Sequence, residues 1–176
     1  MIKKRYIAVF AIALLSCNQR KAAEANTSFL YFDIKGYFGK EVARLQKLNS
    51  TVQKTVSVNG VTENKTTAIT DWQKELAIFV NADINKTSWR GSFKIAKENG
   101  ADVYTSDNKK IPVKKVVVEK RDLKVNKVEI IIDNKNILYQ SQDTLTYYPD
   151  SLYQINKQQK IRLLKLKKYL IIGKLK

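Results

Sequence analysis

Apolar residues recur at Ile34, Tyr37, Phe38, Val42, Leu45 and Leu48, three or four positions apart. That spacing predicts an amphipathic helix over residues 34–48 with one buried stripe. Asp33 is its expected N-cap, and Phe32 with Tyr37 forms a hydrophobic-staple pair. Gly36 and Gly39 each weaken a helix by up to about 1 kcal/mol relative to alanine. Either they permit close packing or the helix begins after them. Phe29, Tyr31, Phe32, Tyr37 and Phe38 form an aromatic cluster, which core packing explains better than a ligand site. Trp72, Leu76, Phe79, Val80 and Ile84 repeat the helical spacing. Thr70 and Gln73 stand as a capping box ahead of them, and this second amphipathic helix is expected to end near Asn85. Trp89 follows as a packing anchor.

The remaining pattern is that of strands. Residues 51–58 and 61–68 are rich in Val and Thr and flank Asn59-Gly60, the strongest short hairpin signal. Residues 93–98 and 101–105 repeat this logic around Asn99-Gly100. Further strands are expected at 113–120, 125–132, 137–142 continuing through 145–148, 152–155, 161–166 and 169–175, with turns at 106–110, 121–124, 133–136 and Pro149-Asp150. The last twenty residues alternate between apolar and basic positions, and their spacing suits a final basic hairpin better than a membrane-surface helix. The predicted fold is α+β: two amphipathic helices packed on a curved, half-barrel-like antiparallel β-meander.

The start of the chain is different in kind. MIKKRYIAVFAIALLSC has a basic head (Lys3, Lys4, Arg5), a short apolar run and a small residue, Ser16, before the only cysteine. This order is that of an export signal too short to be a stable transmembrane helix. Leu14-Leu15-Ser16-Cys17 resembles the lipobox of bacterial lipoproteins. Leu15 departs slightly from the pattern, which more often has a smaller or β-branched residue there. The resemblance implies cleavage before Cys17, a diacylglycerol on its thiol, and acylation of the new amine by a fatty acid such as palmitate. Two or three acyl chains hold firmly where one binds only marginally. Asn18 after the cysteine, where Asp often marks inner-membrane retention, leans toward the outer membrane. The expected organisation is a signal peptide over 1–16, a lipidated Cys17 with a polar tether to residue 28, and a single α+β domain over 29–176.

Charge adds a second theme. The chain has 33 Lys and Arg against 16 Asp and Glu. Removing Lys3, Lys4 and Arg5 with the signal leaves a formal +14. Export and the lack of any nucleic-acid motif argue against a nucleic-acid partner. An anionic headgroup surface fits better, at up to about 1 kcal/mol per cation near it. The candidate contacts are Lys157, Lys160, Arg162, Lys165, Lys167 and Lys168, although solvation of exposed faces accounts for any single lysine.

Candidate chemistry is sparse. With no histidine and one cysteine, the Ser-His-Asp and Cys-His triads and the histidine-containing zinc sites are excluded. No glycine-rich phosphate loop is present, and no cofactor or metal is called for. Asp107-Asn108 and Asp133-Asn134 resemble fragments of calcium loops, without the spacing of an EF-hand, and turn formation accounts for them. Glu41, Asp71, Glu75, Asp83, Asp102 and Asp143 are the acids available for a carboxylate-dependent hydrolase. Asp143-Thr144-Leu145 and Asp150-Ser151-Leu152 look like the acceptor motif for O-glycosylation of exported proteins in Bacteroidota. Ser151, in a Pro-Asp-Ser turn, is the better acceptor; Thr144 falls in a strand. The expectation is a non-enzymatic, periplasm-facing envelope lipoprotein acting as a binding or scaffold module, with the bilayer as one partner and an envelope protein or lipid as another. Its rivals are a lipid or lipoprotein carrier, similar in outline to LolA/LolB-like half-barrels, and the hydrolase.

Overall fold

The computed structural model describes residues 29–176; the signal peptide, Cys17 and the tether fall outside the described residues. Helix α1 spans Ile34–Leu48 and buries Ile34, Phe38, Val42 and Leu45. Asp33 caps it, its Oδ1 accepting from the Gly36 N–H at 2.8 Å. A Cβ at position 36 would collide with that carboxylate, so the glycine serves the cap. The Phe32 and Tyr37 rings meet as a staple with centroids 5.5 Å apart. Asn49 ends the helix in the left-handed conformation, at φ 48°.

Nine strands follow: β1 Thr51–Val58, β2 Val61–Ala68, β3 Lys94–Glu98, β4 Ala101–Thr105, β5 Val113–Arg121, β6 Lys124–Lys135, β7 Tyr139–Tyr148, β8 Leu152–Ile161 and β9 Lys167–Leu175. They form one open sheet in the order β2-β1-β9-β8-β7-β6-β5-β4-β3. Every neighbouring pair is antiparallel. The fold is therefore α+β and mostly β. Asn59-Gly60 and Asn99-Gly100 turn with positive φ at both residues (52° and 91°, 50° and 83°), as a type I′ hairpin requires. Asp122-Leu123 does the same at 49° and 64° without a glycine.

One pairing breaks the meander. The last strand, β9, enters between β8 and β1, so that Val52 faces Leu175 and Val58 faces Tyr169. Gly173 of β9 lies opposite Tyr153 of β8, and the tyrosine ring covers it so closely that a Cβ at position 173 would overlap the ring. This is a strand glycine retained for a close approach.

The second helix differs from expectation. It is two single turns, α2 Trp72–Glu75 and α3 Ala77–Val80, parted at Leu76, whose φ of −96° and ψ of 9° leave the helical region. Trp72, Leu76, Phe79, Ala82 and Ile84 are all buried. One straight helix would not turn that whole set inward, and burial overrides the local periodicity. The cap is Asp71, not Thr70: its Oδ1 accepts from the Lys74 N–H at 2.9 Å. Gln46 of α1 takes the Trp72 N–H at 3.3 Å and donates to the Thr70 carbonyl at 3.1 Å, which joins the two helical layers.

Several strand bounds also move, and β8 runs on to Ile161, past its expected end at 155. β6 runs through Asp133-Asn134, where a turn was expected, because the Asp133 N–H is satisfied by the Pro112 carbonyl at 2.8 Å. The turn falls at Asn136, whose Oδ1 accepts from the Leu138 and Tyr139 N–H groups. Of residues 161–166, expected as a strand, Ile161 ends β8 and 162–166 form the β8–β9 turn, with Leu163 at φ 70°. The chain still closes on a basic hairpin, with its turn a few residues early.

The core lies between α1 to α3 and one face of the sheet. Phe38 packs on Phe79 (centroids 4.9 Å) and edge-on to Tyr147 (5.1 Å). Val116, Val118, Val128, Ile130 and Leu145 are completely buried beneath them.

Candidate binding site

Two tyrosines of the inner sheet face carry the helical layer. Tyr147 donates its hydroxyl to Glu41 Oε2 at 2.6 Å. Glu41 is also held by Arg44, whose Nε and Nη2 reach its two oxygens at 3.0 and 2.8 Å. This bidentate geometry is the strongest form of such a pair. Arg44 Nη1 continues to Asp150 at 2.5 Å. Burial pushes the Glu41 carboxyl up, but the Arg44 and Tyr147 hydrogen bonds and the Arg44 charge outweigh it and leave it below 4.5. Burial, then Glu41, raises the Tyr147 hydroxyl well above its ordinary range, so it remains a donor. The second pillar is Tyr153, which donates to Glu75 of α2, while Lys54 of β1 pairs with the same carboxylate oxygen at 2.7 Å. Burial and Glu75 raise the Tyr153 hydroxyl in the same way.

Beyond the second pillar the helical cover stops. Ile155 of β8 and Ile171 of β9 face each other in register, with Val56 of β1 next across the sheet. Ile155 and Ile171 form the floor of an open groove of about 450 Å3, walled by Ala68, Ile69, Lys74 and the Lys54–Glu75 pair. The groove combines an apolar floor with two acidic groups, Asp71 and Glu75, and two basic groups, Lys54 and Lys74, at its edge. That composition suits a ligand with an apolar body and a charged end, and the volume is within the usual range of binding clefts.

The six anionic-surface candidates do not act as one group. Lys157 lies on the inner face and pairs with the buried Asp143 at 3.3 Å; Ser141 donates to the same carboxylate at 3.1 Å. Lys160, Arg162, Lys165, Lys167 and Lys168 are exposed at or beside the β8–β9 turn. Ser151 is exposed in the β7–β8 turn, where its N–H donates to the Tyr148 carbonyl. Thr144 sits mid-strand in β7 between Ile131 and Asn156. Cys17 falls outside the described residues.

Each carboxylate considered for hydrolysis has a partner. Besides Glu41, Glu75 and Asp143, Asp71 caps α2, Asp83 accepts from the Asn85 N–H at 2.9 Å, and Asp102 pairs with Lys120 at 2.7 Å. Among the described residues no cluster of three or more His, Cys, Asp or Glu is disposed to hold a metal, and no helix is long and apolar enough to cross a membrane.

Sequence reasoning missed the groove because Lys54, Glu75, Ile155 and Ile171 come from four separate elements. One signal was present: Gly173 within an apolar run marks a close approach, here by the tyrosine that carries Glu75. The comparisons with known proteins add no relative: no family model, no curated protein and no solved structure matches the chain.

Proposed function

We propose that this chain is a lipid-anchored lipoprotein of the bacterial cell envelope, facing the periplasm from the outer membrane and working as a non-enzymatic binding module. The observation that carries the binding role is the open groove over Ile155 and Ile171, placed where the helical layer ends. Support for a non-catalytic role comes from the carboxylates, each drawn into a pair or cap that holds the fold. The anchor rests on the sequence of the first seventeen residues, and Cys17 is its attachment point. A photo-crosslinking amino acid at Ile171, in the full chain in intact cells, tests the reading. Adducts to an envelope protein, peptide or saccharide are expected. A chain that forms none would remove the groove from function.

The apolar floor of the same groove favours a second reading, a carrier of lipid or lipoprotein. There the nine-stranded sheet serves as a half-barrel that holds acyl chains against the helices. The outcome that selects it is an Ile171 adduct to phospholipid, with about one acyl lipid co-purifying per chain.

A further inference from the structure

The end of the sheet remote from α1 carries three hairpin turns that touch. The Arg162 N–H donates to the Leu138 carbonyl at 2.8 Å, joining the β8–β9 turn to the β6–β7 turn. The Asn59 N–H donates to the Lys168 carbonyl at 2.8 Å, and Asn59 Oδ1 accepts from the Lys168 N–H at 2.9 Å, joining the β1–β2 turn to the start of β9. The result is one continuous rim. It displays large apolar side chains to solvent: Leu163 is 98% exposed, Ile137 83%, Val61 74% and Leu138 68%, with Leu164 and Leu166 about half exposed. Scattered single exposed leucines are ordinary, but a contiguous group marks a contact surface.

The charge on the rim identifies what it contacts. Residues 57–62, 135–139 and 159–168 hold Lys135, Lys160, Arg162, Lys165, Lys167 and Lys168 and not one Asp or Glu. Apolar tips projecting through a ring of unopposed cations match a bilayer, whose acyl region takes the leucines while its anionic headgroups take the lysines. A protein partner large enough to neutralise six cations would need a strongly acidic face. Within the fold, Leu123 is the built-in contrast. It is 96% exposed in the β5–β6 turn, beside Asp122. It sits at the other end of β6, about 35 Å of strand away.

From this geometry we infer that the three-turn rim is a second membrane contact, inserting Leu163 and its apolar neighbours into an anionic leaflet and so fixing the orientation of the anchored domain. The inference rests on the lipoprotein reading, because that reading places a bilayer within reach of the domain. With the rim seated, the groove floor at Ile155 and Ile171 lies between the membrane and the helical layer, about three to four residues inward along β8 and β9 from Gln159 and Lys168.

The experiment uses the full chain reconstituted in vesicles of phosphatidylethanolamine and phosphatidylglycerol at 7:3, carrying Leu163→Cys or Leu123→Cys labelled with an environment-sensitive maleimide. An acylated Cys17 does not react, so the wild-type chain is the blank. Quenching by bilayer-embedded spin-labelled lipid is expected to be at least threefold greater at 163 than at 123. Lys165→Gln, Lys167→Gln and Lys168→Gln together should at least halve that ratio. Equal quenching at the two positions overturns the inference. So does a Leu163→Cys thiol shielded from labelling in native membranes yet unquenched in the vesicles, because a protein then covers the rim. A wild-type chain that labels at Cys17 refutes the anchor alone; with that signal subtracted, the comparison of 163 with 123 is judged separately.

Discussion

The two ends of the sheet follow opposite rules. At the end covered by α1, the tyrosine hydroxyls that enter the core are matched, Tyr147 with Glu41 and Arg44 and Tyr153 with Glu75 and Lys54, while the buried Trp72 Nε1 is left without a partner among the described residues. Apolar groups there interlock, with the Phe38, Phe79 and Tyr147 rings 4.9–6.0 Å apart. At the turn end, leucines face water and the six rim cations form no ion pair among the described residues. Buried groups must be satisfied or they are costly, whereas exposed groups are free to serve a contact. Stability therefore belongs to the covered end, the proposed recognition is assigned to the groove and the rim, and substitutions should separate the two.

The largest effect should come from the aromatic interlock. Phe38→Ala should lower unfolding stability by about 3–5 kcal/mol in a denaturant titration, since it removes a completely buried ring that three others touch. Next is Gly173→Val, which drives a side chain into the Tyr153 ring. Overpacking of this kind costs about 1–3 kcal/mol, and it should loosen the Lys54–Glu75 wall of the groove as well. A Gly173→Val chain as stable as wild type would show that Tyr153 does not hold that wall in place.

The Glu41 cluster gives a smaller effect with a pH signature. Arg44→Ala should cost about 1–2 kcal/mol at neutral pH, discounted for the partial exposure of the guanidinium. Glu41 has a folded pKa below its ordinary 4.5. The unfolded chain therefore binds the proton first as pH falls, so stability from this group is complete above about pH 5 and is lost as pH drops through the lower folded value. Glu41→Gln should flatten that part of the stability–pH curve. An unchanged acid limb would assign acid sensitivity to other carboxylates. Smallest of all, Leu163→Ser should change stability by less than about 0.5 kcal/mol. A large loss there would mean that the rim belongs to the core.

The same division governs what was legible in the sequence. α1 was legible, with only its start left open by Gly36 and Gly39, because staple, cap and stripe agree within residues 32–48. The Asn-Gly hairpins were equally local. The failures are non-local. Nothing near Leu175 announces that it will pair with Val52, and without that pairing the groove floor cannot be assembled. The 72–80 segment follows the demands of Trp72 and Ile84 together rather than its own period. The sequence pattern puts the β8–β9 turn late because Leu163, Leu164 and Leu166 look like strand residues when apolar side chains are assumed to seek a core. These residues are exposed, so apolar character there does not report on burial.

Hydrogen–deuterium exchange on the full chain, in detergent and then in phosphatidylethanolamine–phosphatidylglycerol vesicles, tests the division between the two ends most directly. The expected result is added protection confined to residues 57–62, 135–139 and 159–168, with the slow amides beneath α1 unchanged. Protection appearing over α1 and the β7–β8 turn, or nowhere, would contradict it.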